Sequence, residues 1–212
     1  MKHAEKYPAT SLRTSRFERY IELMGDKMGR LLDVGCASGD FADFLGGCYD
    51  YHGVDNDPER VEVAERRGLD VIRLDLNYEL PFQNRTFDIV LMGEIIEHMP
   101  NPSSLLAEAA RVLNDDGIIV GSTPNAGNPS RYIVDGLLGG GKDDVRRGHL
   151  YVFNQWQLKA LFELNGLKIT ELVGVAFLPL SKHTIRLNRW LGRRLTRLSI
   201  TMAFKAAKAG ER

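Results

Sequence analysis

The sequence predicts an α/β protein built on a parallel, doubly wound sheet. Two observations predict it. Short apolar runs of strand length alternate along the 212 residues with segments of helical periodicity. The first clear run, residues 31–34, passes at once into the turn Gly35-Cys36-Ala37-Ser38-Gly39-Asp40 and then into residues 41–45 with helical spacing. Gly35 and Gly39 allow a tight turn that brings backbone close to a ligand. Open α/β sheets bind their ligands at this place, beyond the carboxyl ends of the strands.

The elements follow in order. Residues 1–29 are expected to be a helical N-terminal segment, because Phe17, Tyr20, Ile21, Met24 and Met28 recur at helical spacing over 11–28. Residues 51–55 read as a strand ending in Asp55. Residues 58–67 read as a helix capped by Asp57, with Pro58 at its first position. A third strand over 71–76 carries Asp75 near its end, and a fourth covers 87–92. A helix over 103–113, capped by Ser103 or Ser104, leads to a fifth strand over 117–122. Residues 124–150 are loop-rich, with Gly136, Gly139, Gly140 and Gly141, and read as an insertion or lid. A helix over 154–165 stopped by Gly166, a sixth strand over 167–173, a basic segment over 174–195 and a seventh strand over 198–204 follow. A single domain over 1–212 is expected.

Charge selects among nucleoside ligands. A dinucleotide turn needs glycines at three positions and a helix N-terminus free to receive a pyrophosphate. Those positions hold Gly35, Ala37 and Asp40, and Asp40 would repel the pyrophosphate. Asp33 adds a second negative charge. A cationic or zwitterionic ligand suits the turn, and S-adenosylmethionine fits, with an ammonium, a sulfonium and no phosphate. Asp55 stands about 20 residues beyond the turn, the spacing at which a carboxylate accepts from ribose hydroxyls. Asp33, Asp55 and Asp75 are expected on one edge of the sheet. The stretch Gly136 to Lys142 matches a phosphate loop up to its Lys, but Asp143 stands where the magnesium-binding Ser or Thr belongs. Nucleoside triphosphate binding is not expected there.

Composition adds bounds. No apolar run approaches a membrane span, and residues 1–6 lack the apolar core of a signal peptide. Cys36 and Cys48 have no metal spacing and form no disulfide framework, so a cytoplasmic location is expected. The formal net charge is zero, yet residues 182–212 hold nine Lys or Arg against one acid, Glu211. This asymmetry is either a solvated helix face or a site for an anionic partner.

Several blocks in series resemble the class I S-adenosylmethionine-dependent methyltransferases of the small-molecule group, over roughly residues 30–170. They are Leu32 to Gly39, Val54-Asp55-Asn56-Asp57-Pro58, Asp75-Leu76, Phe87 to His98, Arg111 to Gly117 and Ser122-Thr123-Pro124-Asn125. Ala37 departs from the pattern, since many relatives carry Gly there. The resemblance implies a Rossmann-like sheet of seven strands, the last antiparallel between the fifth and sixth. It assigns Asp33, Gly35 and Gly39 to the methionine portion of the cofactor and Asp55, with the adjoining Asn56, to the ribose. Asp75 and Leu76 would hold the adenine, Glu94 would lie beside the cofactor, and the N-terminal helix would fold over it.

The chemistry points to Gly93-Glu94-Ile95-Ile96-Glu97-His98. If this turn is helical, Glu94, Glu97 and His98 share one face. Two carboxylates and an imidazole suit a divalent metal such as Mg, Mn or Zn, and His149 would be a fourth ligand. The constellation is similar to that of ubiquinone-biosynthesis O-methyltransferases and of small-RNA 2′-O-methyltransferases, where a metal is thought to bind the acceptor oxygens. The alternatives are His98 or His149 as a catalytic base or acceptor-orienting group, and a purely structural role. The leading expectation is a small-molecule O-methyltransferase. RNA is a less favoured acceptor, because the body outside the basic tail is acidic. A third expectation is peripheral membrane contact through 182–197, where Leu187, Trp190, Leu191 and Leu195 lie at helical spacing among arginines.

Overall fold

The computed structural model describes residues 11–129, 148–177 and 184–210. Its strands are β1 (Gly29–Val34), β2 (Tyr49–Asp55), β3 (Asp70–Arg73), β4 (Phe87–Gly93), β5 (Leu113–Pro124), β6 (Leu167–Gly174) and β7 (Thr201–Lys208). They form one sheet in the order β3-β2-β1-β4-β5-β7-β6. β1 to β5 pair in parallel, and β7 runs antiparallel between β5 and β6. The expected mostly parallel seven-stranded sheet is thus present. The chain reverses its direction of travel across the sheet between β1 and β4, the switch point at which doubly wound sheets open a crevice.

The helices are α1 (Leu12–Met24), α2 (Pro58–Arg66), α3 (Pro102–Val112), α4 (Gln155–Glu163) and α5 (Ile185–Arg194). The middle stretches of the central strands are mostly apolar and buried because helices cover both faces of the sheet. Leu32, Val90 and Met92 pack with Leu105, Leu106 and Phe162 on one side. Leu31, Ile89 and Leu91 pack with Tyr20, Leu23 and Met24 of α1 on the other. Helix starts follow capping chemistry. Asp57 accepts from the amides of Glu59 and Arg60, with Pro58 behind it, as expected. Asn154 and Gln157 form a reciprocal capping box on α4. The cap of α3 is Asn101, which accepts from the Ser104 amide, rather than Ser103 or Ser104.

Three local expectations are corrected. Residues 40–44 form only a short 3₁₀ turn, Asp40–Phe44, not the start of an α-helix. β3 stops at Arg73, where its partner β2 ends at Asp55, so Asp75 lies in the following loop. There it closes an Asx turn by accepting from the Asn77 amide at 3.0 Å. β7 begins at Thr201, and Leu198 belongs to the preceding 3₁₀ turn Thr196–Leu198. Much of the expected lid, including the glycine-rich stretch through Lys142, and part of the basic segment lie outside the described residues. Among the described residues no helix is long and apolar enough to cross a membrane.

Gly121 shows how closely the central strands meet. It pairs with Met92 of β4 and Phe204 of β7. A Cβ there would run into the Met92 carbonyl oxygen and lie 2.7 Å from Phe204 Cζ. Gly121→Ala is expected to lower unfolding stability by about 1–3 kcal/mol, and Gly121→Val by more. Urea denaturation midpoints test this, and parental stability in both variants would contradict the close packing.

Candidate active site

The glycine turn after β1 is held from beneath and from the side. The amides of Gly35 and Cys36 both donate to the Val54 carbonyl, at 2.8 and 3.1 Å. Gly35 has φ 78°, and a Cβ on it would press on Ile95 at 2.9 Å. Ala37 has φ 49°, a left-handed conformation unfavourable for any residue with a side chain. Its amide donates to Asp55 Oδ2 at 2.8 Å, while Asp55 Oδ1 accepts from the Asp57 amide at 3.0 Å. The Asp55 carboxylate therefore ties the turn after β1 to the turn after β2. Arg67, just past α2, clamps the outer side of the loop through the Ser38 carbonyl and Asp43.

α1 lies over this loop. Phe17 meets Phe41 and Phe44 edge-on, with ring centroids at 5.3 and 5.1 Å, and Tyr20 meets Phe41 at 5.7 Å. Each such pair contributes about 0.5–1.5 kcal/mol beyond area burial. Arg13 pairs with Asp40 at 2.6 Å, and Arg16 pairs with Glu94. Between α1, the loop and the ends of β1, β2 and β4 lies a cleft of about 530 Å³, a size suited to a nucleoside-sized ligand.

Most of the expected cofactor residues meet in this cleft. Asp33, Gly35, Asp55, Asn56, Leu76 and Glu94 line it, together with Asp75. Gly39 does not; its φ is 70°, and a Cβ there would collide with Leu69, so it serves the turn and its packing. Arginines also line the cleft: Arg13, Arg16 and Arg60. The sequence reading missed them. Their only signal was the three-residue spacing of Arg13 and Arg16 on a helix expected to cover the cofactor. Asp40 is accordingly balanced by Arg13, not a bare repulsive charge. The cleft still holds more carboxylates than arginines, which suits a ligand carrying both charges.

Burial perturbs several groups. Asp33 is buried and accepts from the Tyr51 hydroxyl at 2.9 Å. Burial pushes its carboxyl up to about 7, the Tyr51 hydrogen bond opposes this, and Asp55 and Asp40 add to it. Burial works against the Arg16 charge, but Glu94, with smaller contributions from Tyr20 and Glu97, offsets it and raises the pKa. Its Nε is buried without a hydrogen-bond partner. Glu94 has φ 59° at the end of β4, and its Oε1 accepts from Ser122 Oγ, which also meets the Tyr20 hydroxyl at 2.5 Å. A non-glycine residue in this conformation costs energy and is often found at functional sites.

The left-handed turn at Glu94 overturns the expected shared helix face. Only Ile96–His98 is helical, as a 3₁₀ turn. Glu94 points to Arg16, whereas Glu97, His98 and His149 bring potential ligand atoms within 4.8 Å of one another. The four-ligand set is thus reduced to three. Glu97 is fully buried; its Oε2 accepts from Thr123, and its Oε1 has no partner. Burial first, then the charge of Glu94, holds its carboxyl above the usual range. His98 lines the cleft, but Glu97 and His149 do not. His98 Nδ1 lies 3.1 Å from the Gly148 carbonyl, which can only accept. In the neutral ring the proton therefore sits on Nδ1, leaving the Nε2 lone pair free to accept. The His149 ring stands edge-on to His98 at 4.8 Å. The Glu97 carbonyl accepts from the Leu150 and Tyr151 amides, which fixes the 148–151 segment against this turn.

Comparison with known proteins agrees with this geometry. Residues 5–172 match a family described as a methyltransferase domain. A ubiquinone biosynthesis O-methyltransferase of Pseudomonas syringae pv. tomato is 28% identical over 191 residues, covering 81% of this chain and 77% of that protein. An uncharacterised protein of Methanocaldococcus jannaschii is 37% identical over 92 residues, 43% of each chain. The structure of a S-adenosylmethionine-dependent methyltransferase from Archaeoglobus fulgidus superposes with a TM-score of 0.65 at 22% identity, covering 97% of both chains. The chain belongs to the methyltransferase-domain family and is a class I S-adenosylmethionine-dependent methyltransferase.

The double role of Asp55 has a measurable consequence. Asp55→Ala leaves the Ala37 and Asp57 amides without their acceptor and is expected to cost about 1–3 kcal/mol of stability without any ligand. Chemical denaturation of the ligand-free variant measures it. An unchanged midpoint would show that Asp55 does not organise the loops.

Proposed function

We propose that this enzyme O-methylates a small-molecule acceptor, with His98 as the proton-accepting group beside the cofactor. The observation that carries the proposal is the His98–Gly148 contact, which leaves Nε2 to accept on a residue that lines the cleft. Kinship with the ubiquinone biosynthesis O-methyltransferases supports the same reaction class.

The residues suit S-adenosylmethionine part by part. The unpartnered Arg16 Nε supplies a donor for the methionine carboxylate. Asp33 faces the ammonium and sulfonium end, with the Gly35 turn beneath it. Asp55 keeps lone pairs beyond its two amide bonds, enough to accept from ribose hydroxyls, with Asn56 adjoining. Asp75 and Leu76 flank the adenine, and Glu94 stands beside the methionine portion through its tie to Arg16. The sulfonium supplies the methyl group and leaves as a neutral thioether. The protein's task is to hold the acceptor oxygen in line, which contributes on the order of 7–11 kcal/mol. His98 Nε2 takes the hydroxyl proton as the new C–O bond forms.

A second reading is favoured by one observation: Glu97 Oε1 is orphaned beside His98 and His149. In that reading these three residues hold a divalent metal that acidifies the acceptor hydroxyl. The buried, protonation-prone Glu97 and the diversion of Glu94 to Arg16 weigh against it. Turnover in excess EDTA decides between them. Full activity is expected; loss restored by Mg²⁺, Mn²⁺ or Zn²⁺ would establish the metal. His98→Asn is expected to lower kcat by about 10²–10⁴-fold while leaving cofactor affinity intact. Near-parental kcat would remove His98 from the chemistry.

Asp33 gives the proposal a pH signature. In the free protein its carboxyl is protonated below about 7. A cationic ligand favours the carboxylate, so S-adenosylmethionine affinity is expected to rise as pH increases through about 7 and then level off. Without ligand the sign is opposite for stability. The folded chain keeps a proton that the unfolded chain has released above 3.8, so Asp33's contribution falls as pH rises between these values. Calorimetric titration across this range checks the first effect. Asp33→Asn should abolish the slope; the same slope in that variant would refute the assignment.

A further inference from the structure

We propose that α5 and the turn after it form a docking surface for a lipid bilayer carrying anionic headgroups. The proposal is independent of which acceptor is methylated.

The inner side of α5 is fixed to the sheet. Asn188 is buried, accepts from the Phe177 amide at 2.8 Å and donates to the Thr184 carbonyl at 3.1 Å. Gly192 sits so close to the end of β6 that a Cβ would run into the Gly174 carbonyl oxygen. The helix therefore presents a defined outer side. On it stand Leu187 and Trp190, and the turn beyond adds Leu198 and Ile200, all 39–53% exposed. Leaving four large apolar side chains about half exposed on one short segment has a free-energy cost.

The charges on α5 and the turn after it are of one sign. Arg186, Arg193, Arg194 and Arg197 are exposed beside it. Between Glu171 and Glu211 the chain contains no acidic residue. Among the described residues, Arg193 comes 3.7 Å from Glu22 of α1, the neighbouring helix. Arginine stems can lie along apolar surface while their guanidinium groups reach outward. Apolar side chains flanked by arginines match an interface of acyl chains beneath anionic headgroups. RNA fits less well. Leu187, Leu198 and Ile200 offer bases nothing to stack on, and the guanidinium of Arg194 already lies 4.4 Å over the Trp190 ring. α5 adjoins α1, which roofs the cleft, so a docked bilayer would lie beside the cofactor-covering helix.

The test is vesicle co-sedimentation of the full chain, with phosphatidylcholine alone or mixed with phosphatidylglycerol. Partition is expected to be at least roughly tenfold stronger with phosphatidylglycerol and to weaken as salt rises. The double variant Leu187→Ala/Trp190→Ala should lose at least roughly tenfold of this partition through lost burial. Its S-adenosylmethionine affinity should stay parental, since neither residue lines the cleft, and this confirms that the variant is folded. In Trp156→Phe, where Trp190 is the remaining tryptophan, emission should shift to the blue on mixed vesicles. Equal partition onto both vesicle types, or parental partition of the double variant, would overturn the proposal. So would retention of a single-stranded RNA oligonucleotide by a chain that ignores both vesicles, which would assign the surface to nucleic acid.

Discussion

The site depends on one carboxylate. Asp55 accepts from the amide of Ala37 in one loop and from that of Asp57 in the next. The first bond holds a residue with a side chain at φ 49°, a conformation it would not choose alone. The second sets the entry to α2, where Asp57 caps and Pro58 begins the helix. Two strand ends are thereby fixed relative to each other, and the cleft floor is built before any ligand arrives. The same carboxylate lines the cleft. In the proposed reading, structure and binding draw on one group, at the switch point of a doubly wound sheet.

Charge balance gives the cleft its character. Asp33 is buried and accepts from the Tyr51 hydroxyl, and its charged form is disfavoured until a cation arrives. Arg13 and Arg16 come from outside the sheet, on α1, and neutralise Asp40 and Glu94. The aromatic seat of Phe17 and Tyr20 on Phe41 and Phe44 brings those arginines to the cleft. Burial of apolar rings therefore positions charges, and the charges favour a zwitterionic ligand. Behind this layer, Glu97 is held in the core by Thr123 and supports the segment carrying His149 through its backbone carbonyl.

Much of the fold was legible because its signals are local. Apolar runs buried on both faces, Asp57-Pro58 and the Gly166 stop after residues 154–165 each declare an element by short-range chemistry. What was not legible depended on distant partners. Residues 71–76 look like a continuous strand, yet β3 ends when β2 ends, and Asp75 falls into a turn. Residues 198–200 look like the start of a strand, yet pairing with β5 begins at Thr201. Glu94, Glu97 and His98 have helical spacing in sequence, but Glu94 turns left-handed and pairs with Arg16. No pattern within residues 93–98 announces an arginine from α1. The carboxylates of the site could be read from strand ends; their counter-charges could not, because tertiary packing supplies them.

The central claim is that this cleft selects a zwitterionic sulfonium nucleoside over a pyrophosphate-bearing one. Calorimetric titration of the purified chain with S-adenosylmethionine and, separately, with NAD tests it directly. The expected result is saturable one-to-one binding of S-adenosylmethionine and no measurable heat from NAD at the same concentrations. Binding of NAD as tight as that of S-adenosylmethionine would contradict it.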